Sequence, residues 1–227
     1  GWGPTNGYTD LRVGLGKAAN HPVHTISWYD IVKWCNARSE KDGLVPSYMV
    51  GGANYRTGAS APDCNWSASG YRLPSEAEWE KAARGGLGGK RFSWGDRIDH
   101  SQANYRANGS AYSYDISIST SPTYHPDYDD GGPPYSSLVG SFAPNGYGLY
   151  DMSGSMWEWC WDWWGGSNYP SSTVTDPHGP ASGAFRVLRG GSWSTFARSC
   201  RAAHRLDYSP ISAYYSIGFR VARSSVP

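Results

Sequence analysis

VGSFAPNGYGLYDMSGSMWEWCWDWW spans residues 139–164, and its reading decides the fold. A glycine-punctuated stretch runs straight into the strand signal MWEWCWDWW at 156–164. The whole chain has the same texture: 17 Tyr, 12 Trp and 29 Gly in 227 residues. Aromatic side chains bury much area per residue, so they can pin many short irregular segments. Long helices would need more Leu, Ala, Glu and Lys. The length suffices for one large domain with its own core.

Upstream, two helices stand out. SWYDIVKWCNARSEKDG (residues 27–43) offers Ser27 as N-cap and Asp30 in the first turn. Ile31, Trp34, Cys35 and Arg38 share one face at helical spacing, and Gly43 suits the stop. LPSEAEWEKAARGG (residues 73–86) carries a Ser75/Glu78 capping box and a buried stripe of Trp79, Ala82 and Ala83. Residues 44–70 and 96–138 read as loops, the second ending in DYDDGGPPYSS; loops this long are often functional or pinned by metal. Downstream, FRVLRGGSW and IGFRVAR are strand signals, the last alternating apolar and basic residues. No repeat or linker interrupts residues 1–227, which therefore read as a single α+β domain with two helices, short strands and long irregular loops.

Charge excludes some functions. The net charge is +1 with no basic run, so no nucleic acid is expected as partner. No apolar run is long enough to cross a membrane. No signal peptide is visible at residue 1, and the loop-like opening GWGPTNGYTD suits a mature or trimmed form. Cys35, Cys64, Cys160 and Cys200 include no Cys-x-x-Cys pair, against a zinc ribbon. They allow two disulfides, or free buried thiols.

HPVHTISWYDIVKWCN, YRLPSEAEWEKAARGG, FSWGD, QANY, the quoted stretch, RVLRGGSW and GFRVAR occur in that order over roughly residues 20–223. Together they closely resemble the formylglycine-generating-enzyme (sulfatase-modifying-factor) family. The resemblance implies a C-type-lectin-like fold with long inserted loops. The strands that usually precede HPV are not recognisable in residues 1–19.

In the oxidase members, the resemblance implies copper held by two thiolates, a soft ligand pair suited to Cu(I). Those positions here are Thr195 and Cys200, and a hydroxyl is a poor ligand for Cu(I). No copper and no catalytic residue are therefore expected. The six histidines contain no His-x-x-x-His pair, and there is no room for the helical metal-binding domain of the thiol-histidine oxidising branch. A calcium site is implied at Asp151, Gly154, Met156 (by backbone carbonyl) and Glu158, hard oxygens from a short loop; the alternative is that Asp151 and Glu158 cap turns. A second family site would begin at Asn104-Tyr105 but meets Gly131 where an Asp is needed, with Asp129 or Asp130 as substitutes.

Residues 194–216 follow another pattern within the family, resembling retroelement-diversified variable proteins of treponemal type. The fixed positions of that pattern are met by Arg189–Trp193, Ala197, Cys200-Arg201, Ala203, Arg205, Pro210 and Gly218–Arg220, whereas Ala213 replaces a common Arg. Diversified asparagine-type codons cannot yield Lys, Glu, Gln, Met or Trp, and none occurs in this segment. Phe196, Tyr208, Tyr214 and Tyr215 are candidate aromatic anchors; His204, Asp207, Ser209, Ser212 and Ser216 are candidate polar readers. Ser194, Thr195, Ser199, Leu206, Ile211 and Ala213 complete the candidate variable set. Arg201, Arg205 and Pro210 would hold the loop. The expected function is non-enzymatic ligand binding, with a protein or glycan of a host or microbial surface as ligand. The resemblance implies a bacterial cell surface (outer membrane, through a lipid anchor ahead of residue 1) or secretion. A copper-dependent oxidase or degenerate relative is the alternative.

Overall fold

In the computed structural model, residues 2–166 and 174–224 are described. Helix α1 (Trp2–Thr5) is a single turn that the sequence pattern did not suggest. Helix α2 (Trp28–Lys41) begins where its cap predicts: Ser27 Oγ accepts from Asp30 N at 3.2 Å and donates to the Asp30 carboxylate at 2.5 Å. Of the predicted face, Ile31 and Cys35 are buried and Trp34 is half-buried, but Arg38 is exposed and pairs with Asp42 at 2.7 Å. The buried face is completed by Val32, Asn36 and Ser39. Asn36 is tolerated there because its amide donates to Tyr48 O and Tyr55 O and accepts from Tyr48 N.

The predicted loop 44–70 holds a small antiparallel sheet, which corrects that reading: β1 (Tyr48–Val50) lies between β2 (Ala53–Asn54) and β3 (Asp63–Cys64). Its strands are too short for a period-2 pattern to show. After β4 (Tyr71–Arg72), helix α3 (Glu76–Arg84) carries the predicted Ser75/Glu78 capping box and ends at Gly85, which is left-handed at φ 55°. Asn145, from the stretch first quoted, donates to Ala82 O at 2.7 Å and so satisfies a carbonyl at the end of α3.

The main sheet contains β5 (Trp157–Trp163), β6 (Arg186–Arg189), β7 (Leu206–Tyr208) and β8 (Ile217–Gly218), in the order β7-β6-β5-β8. Only the β5–β8 pair is parallel. Both faces of β5 are covered: Trp157 and Trp159 join the core against α2, whereas Cys160 packs with Trp79, Ala83 and Val187 under α3. Arg186 is buried in this core, with its guanidinium 3.7 Å from the Trp28 ring and 3.4 Å from the Trp163 ring. Those π faces stand in for a carboxylate. Burial still pulls the Arg186 pKa down to about 9.

IGFRVAR is two strands, not the one its alternation predicts. Ile217–Gly218 pairs with β5, and Ala222–Arg223 forms β9 on β4. Between them Arg220 turns inward onto Glu158 at 2.5 and 2.7 Å, which breaks the pleat. Residues 96–138 contain no helix or strand and are held by isolated bridges, among them Asn104 to Gly154 and Arg106 to Phe196. A third buried cluster joins this loop (Ile98, Tyr105, Ala107) to Ala197 and Cys200 of the terminal segment. All four cysteines are free thiols. Among the described residues no helix is long and apolar enough to cross a membrane.

Candidate functional site

The terminal segment is tied to the scaffold at both ends and in the middle. At its start Gly190 and Gly191 take φ 94° and 75°. A Cβ on Gly191 would meet Cys200 Sγ and its amide nitrogen at 3.0 Å, so only glycine fits this turn. Residues 197–200 form one 3-10 turn (Ala197–Cys200). In the middle, Arg205 clamps the buried Glu76 through two bonds of 2.5 and 2.7 Å, donates to Gly166 O at 2.9 Å, and lies 4.4 Å from the Trp164 ring. Pro210 O accepts from Trp28 N, Tyr214 O from Thr25 N, and Ser216 O from Trp157 N, all within 3.1 Å. Arg205 and Pro210 thus hold the loop as their fixed positions suggest, whereas the Arg201 side chain, among the described residues, donates only to the nearby Arg198 O.

The predicted variable residues divide by exposure. Ile211, Ala213, Tyr214 and Tyr215 are exposed, at 71% for Ile211 and 47% and 46% for the two tyrosines. Ser194, Phe196, Asp207, Ser209, Ser212 and Ser216 are half-buried, with part of each surface accessible. Ser199 is buried within the 3-10 turn, at 7% exposure, and offers a ligand little surface. Thr195 is half-buried and its hydroxyl closes the turn: it accepts from Ser192 N at 2.8 Å and donates to Ser192 O at 3.0 Å. Leu206 and Tyr208 pack partly on the main core. The His204 ring lies 5.8 Å from Trp157. Burial, and then Arg201 and Arg198, push its pKa down to about 4, so it is a neutral ring at neutral pH.

The exposed tyrosines belong to a continuous ribbon of rings. Tyr208 meets Tyr214 edge-on at 5.5 Å, Tyr214 lies 6.3 Å from Tyr215, and Tyr215 lies 5.6 Å from Trp193. Trp193 in turn meets Tyr135 at 5.1 Å and Tyr124 at 5.7 Å. Arg106 spans Tyr124 and Phe196, at 5.3 and 5.5 Å from their centroids. Tyr124, Tyr135 and Arg106 come from the 96–138 loop and were not among the predicted site residues. The signal that could have found them is the tyrosine content of that loop.

Cys200 is enclosed by Phe92, Tyr105 and Ala107, and its thiol donates weakly to Phe196 O at 3.9 Å. Burial pushes this thiol well above its ordinary range, against the thiolate that a copper ligand must be. At the implied calcium site, Asp151 sits at φ 55° and its Oδ2 accepts from Gly140 N at 2.6 Å. Its Oδ1 is buried without a hydrogen-bond partner, and burial raises its pKa. Glu158 accepts from Trp79 Nε1 at 2.6 Å and twice from Arg220. A carboxylate offers about four acceptor sites, so both groups retain capacity for a hard cation. Gly154 is left-handed, and its carbonyl accepts from Met156 N at 2.8 Å. A cavity of about 500 Å³ opens here beside Tyr150 and Phe219. Near the second implied site, Asn104 Oδ1 is also buried without a partner, but Asp130 is committed to Lys17 at 2.5 Å.

Comparison with known proteins gives a consistent answer. The sulfatase-modifying factor enzyme 1-like domain family matches residues 4–225. The formylglycine-generating enzyme of Streptomyces coelicolor is 34% identical over 217 residues, 94% of this chain and 56% of that protein. The chain thus spans about half the length of the curated formylglycine-generating enzymes it matches. Among solved structures, Treponema denticola variable protein 1 superposes with a TM-score of 0.70 at 29% identity, covering 94% of this chain and 76% of that one. CarF superposes with a TM-score of 0.71 at 28% identity, covering 99% and 80%.

Proposed function

The chain belongs to the sulfatase-modifying factor enzyme 1-like domain family, with the α+β, C-type-lectin-like fold of that group, and on that premise we propose that it is a non-enzymatic ligand-binding protein. Its terminal segment is the recognition surface. One observation carries the reading: scaffold-bound residues (Arg205, Pro210, Cys200) alternate there with exposed or half-exposed Tyr, Ser and Ile at the predicted variable positions. Exposed tyrosine beside small polar residues is the composition of a paratope. Likeness to a treponemal variable protein supports the diversified origin of those side chains. Display at a bacterial cell surface or secretion goes with this reading, as does a host or microbial surface protein or glycan as ligand. Calcium belongs to it as a structural ion: Asp151, Gly154, Met156 and Glu158 would hold it, and its charge would compensate the buried Asp151 carboxylate.

The alternative, a copper-dependent formylglycine-generating oxidase, is favoured by the identity to the Streptomyces enzyme. Against it stand a hydroxyl at Thr195, already used in a turn, and a buried, protonated Cys200. The test has two arms. Copper titration with a cysteine-peptide oxidation assay should show no turnover; turnover abolished by Cys200→Ser would overturn the proposal. A display library randomised at the exposed and half-buried positions of 194–216 should fold and yield binders to unrelated proteins; a library that yields none opposes it.

A further inference from the structure

Among the described residues, five half-buried or buried arginines each hold a glutamate: Arg72 with Glu78, Arg84 and Arg189 with Glu80, Arg205 with Glu76 and Arg220 with Glu158. The buried Arg186 and the half-buried Arg201 donate instead to the Trp161 and Arg198 carbonyls. Arg106 differs. It is half-buried, its Nε is buried with no hydrogen-bond acceptor, and among the described residues no carboxylate forms an ion pair with it. It is fixed in place from the backbone, because Arg106 N donates to Thr195 O at 2.9 Å and residue 106 bridges in parallel to Phe196. Its guanidinium is framed by Tyr124 and Phe196. The rings offset part of the desolvation cost, as they do for Arg186, and the buried Nε is beyond a ligand's reach; the terminal Nη groups are not buried and are the donors left for an anion.

We propose that Arg106, framed by Tyr124 and Phe196, is a fixed anion-reading subsite beside the variable positions, and that it takes the carboxylate of an Asp or Glu on a protein ligand. This rests on the ligand-binding reading above. A planar guanidinium matches a carboxylate through two parallel bonds, which a lysine cannot reproduce. Trp193 is buried and backs a row of rings whose accessible members are the half-buried Arg106, Tyr124 and Tyr135 and the exposed Tyr215 and Tyr214; Tyr and Arg are among the residue types that dominate protein–protein hot spots. Such an extended surface suits a polypeptide lying across several rings. Arg106 lies outside the diversified segment, so it would give every variant the same preference for an acidic residue while Thr195 and Phe196 beside it change.

Random phage-displayed peptides are panned in parallel on the full chain, on Arg106→Gln and on Arg106→Lys. Peptides from the native chain should be enriched in Asp and Glu. They should bind Arg106→Gln about tenfold or more weakly, with Arg106→Lys between the two. Both variants should melt with the native chain, because the side chain makes only ring contacts. Equal acidic content on native and Arg106→Gln, or affinities within about threefold, overturns the subsite. If those same peptides are lost on Tyr215→Ala, the recognition surface stands without it. Failure to enrich any peptide on the native chain overturns both readings. Arg106-dependent binding to sialylated or uronate glycans, without acidic peptides, overturns the protein-carboxylate assignment.

Discussion

Arg205→Met should cost about 3 kcal/mol, at the low end of what breaking a buried ion pair costs. Arg205 is 15% exposed and Glu76 2% exposed at the side chain, so removing the cation strands a carboxylate in the core. Complete stranding is prevented by Arg189, whose Nε lies 3.6 Å from the same Glu76 oxygen, which places the expected loss at the lower end. The bond to Gly166 O and the contact with the Trp164 ring are lost too. For a chain of this size that loss corresponds to roughly 6–12 °C in Tm. Glu76→Gln should cost less, because Arg205 keeps some solvent access. Combining it with Arg205→Met should recover part of the single-variant loss, since no charge is then stranded. Urea unfolding followed by tryptophan fluorescence measures all three variants. Tyr214→Ala, at an exposed position, should stay within about 0.5 kcal/mol of the native chain. An Arg205→Met cost below about 1 kcal/mol, or strict additivity with Glu76→Gln, would refute the claim that this clamp carries the loop.

Burial raises the pKa of Asp162 to about 7. A carboxylate raised in the folded state holds a proton there that the unfolded chain has released, so stability falls as pH rises from about 4 to about 7. Asp162→Asn keeps an acceptor for Glu76 N, bonded at 2.6 Å, and should flatten that slope, by at most about 3 kcal/mol between pH 5 and pH 8 in urea unfolding. An unchanged slope would mean that Asp162 is ionised throughout. Thiol alkylation gives another check: Cys64, half-buried with its pKa pushed up to about 12, should react slowly, while Cys35, Cys160 and Cys200 should react only on unfolding. Rapid native-state labelling of Cys200 would reopen the oxidase alternative.

Both long helices were legible because their signals are local. Ser27 and the Ser75/Glu78 box set the starts, and a glycine follows each end. The Trp-rich strand was equally plain. Alternation misled at IGFRVAR because Arg220 answers to Glu158, 62 residues away in sequence, and not to its strand neighbours. The buried Ser199 was also invisible: codon chemistry says which side chain is permitted, not which way a 3-10 turn points it. Arg106, Tyr124 and Tyr135 escaped because their role depends on a loop without regular structure, whose rings reach Trp193 and Phe196 only after the chain has folded.

Under the proposed function, variation in this segment would be inexpensive for a backbone reason. The long-range ties made at the positions proposed to vary run mainly through carbonyl oxygens, which every residue has. Thr195 O accepts from Arg106 N, Tyr214 O from Thr25 N, and Ser216 O from Trp157 N. Arg189, outside the segment, donates to His204 O at 2.6 Å. Side-chain anchoring comes instead from a position read as fixed, Arg205 on Glu76. No residue from Ser194 to Ser216 has a positive φ, so no position there demands glycine, and L-residues other than proline can take the same path where the backbone N–H donates, as at Thr195, Ser199, His204 and Ser212. Thr195 is the exception, because its hydroxyl also closes the Ser192 turn. Replacing it should cost more stability than replacing Tyr214 or Tyr215. The position that would carry a copper thiolate in an oxidase is here the one, among those proposed to vary, whose side chain is most tied to the turn.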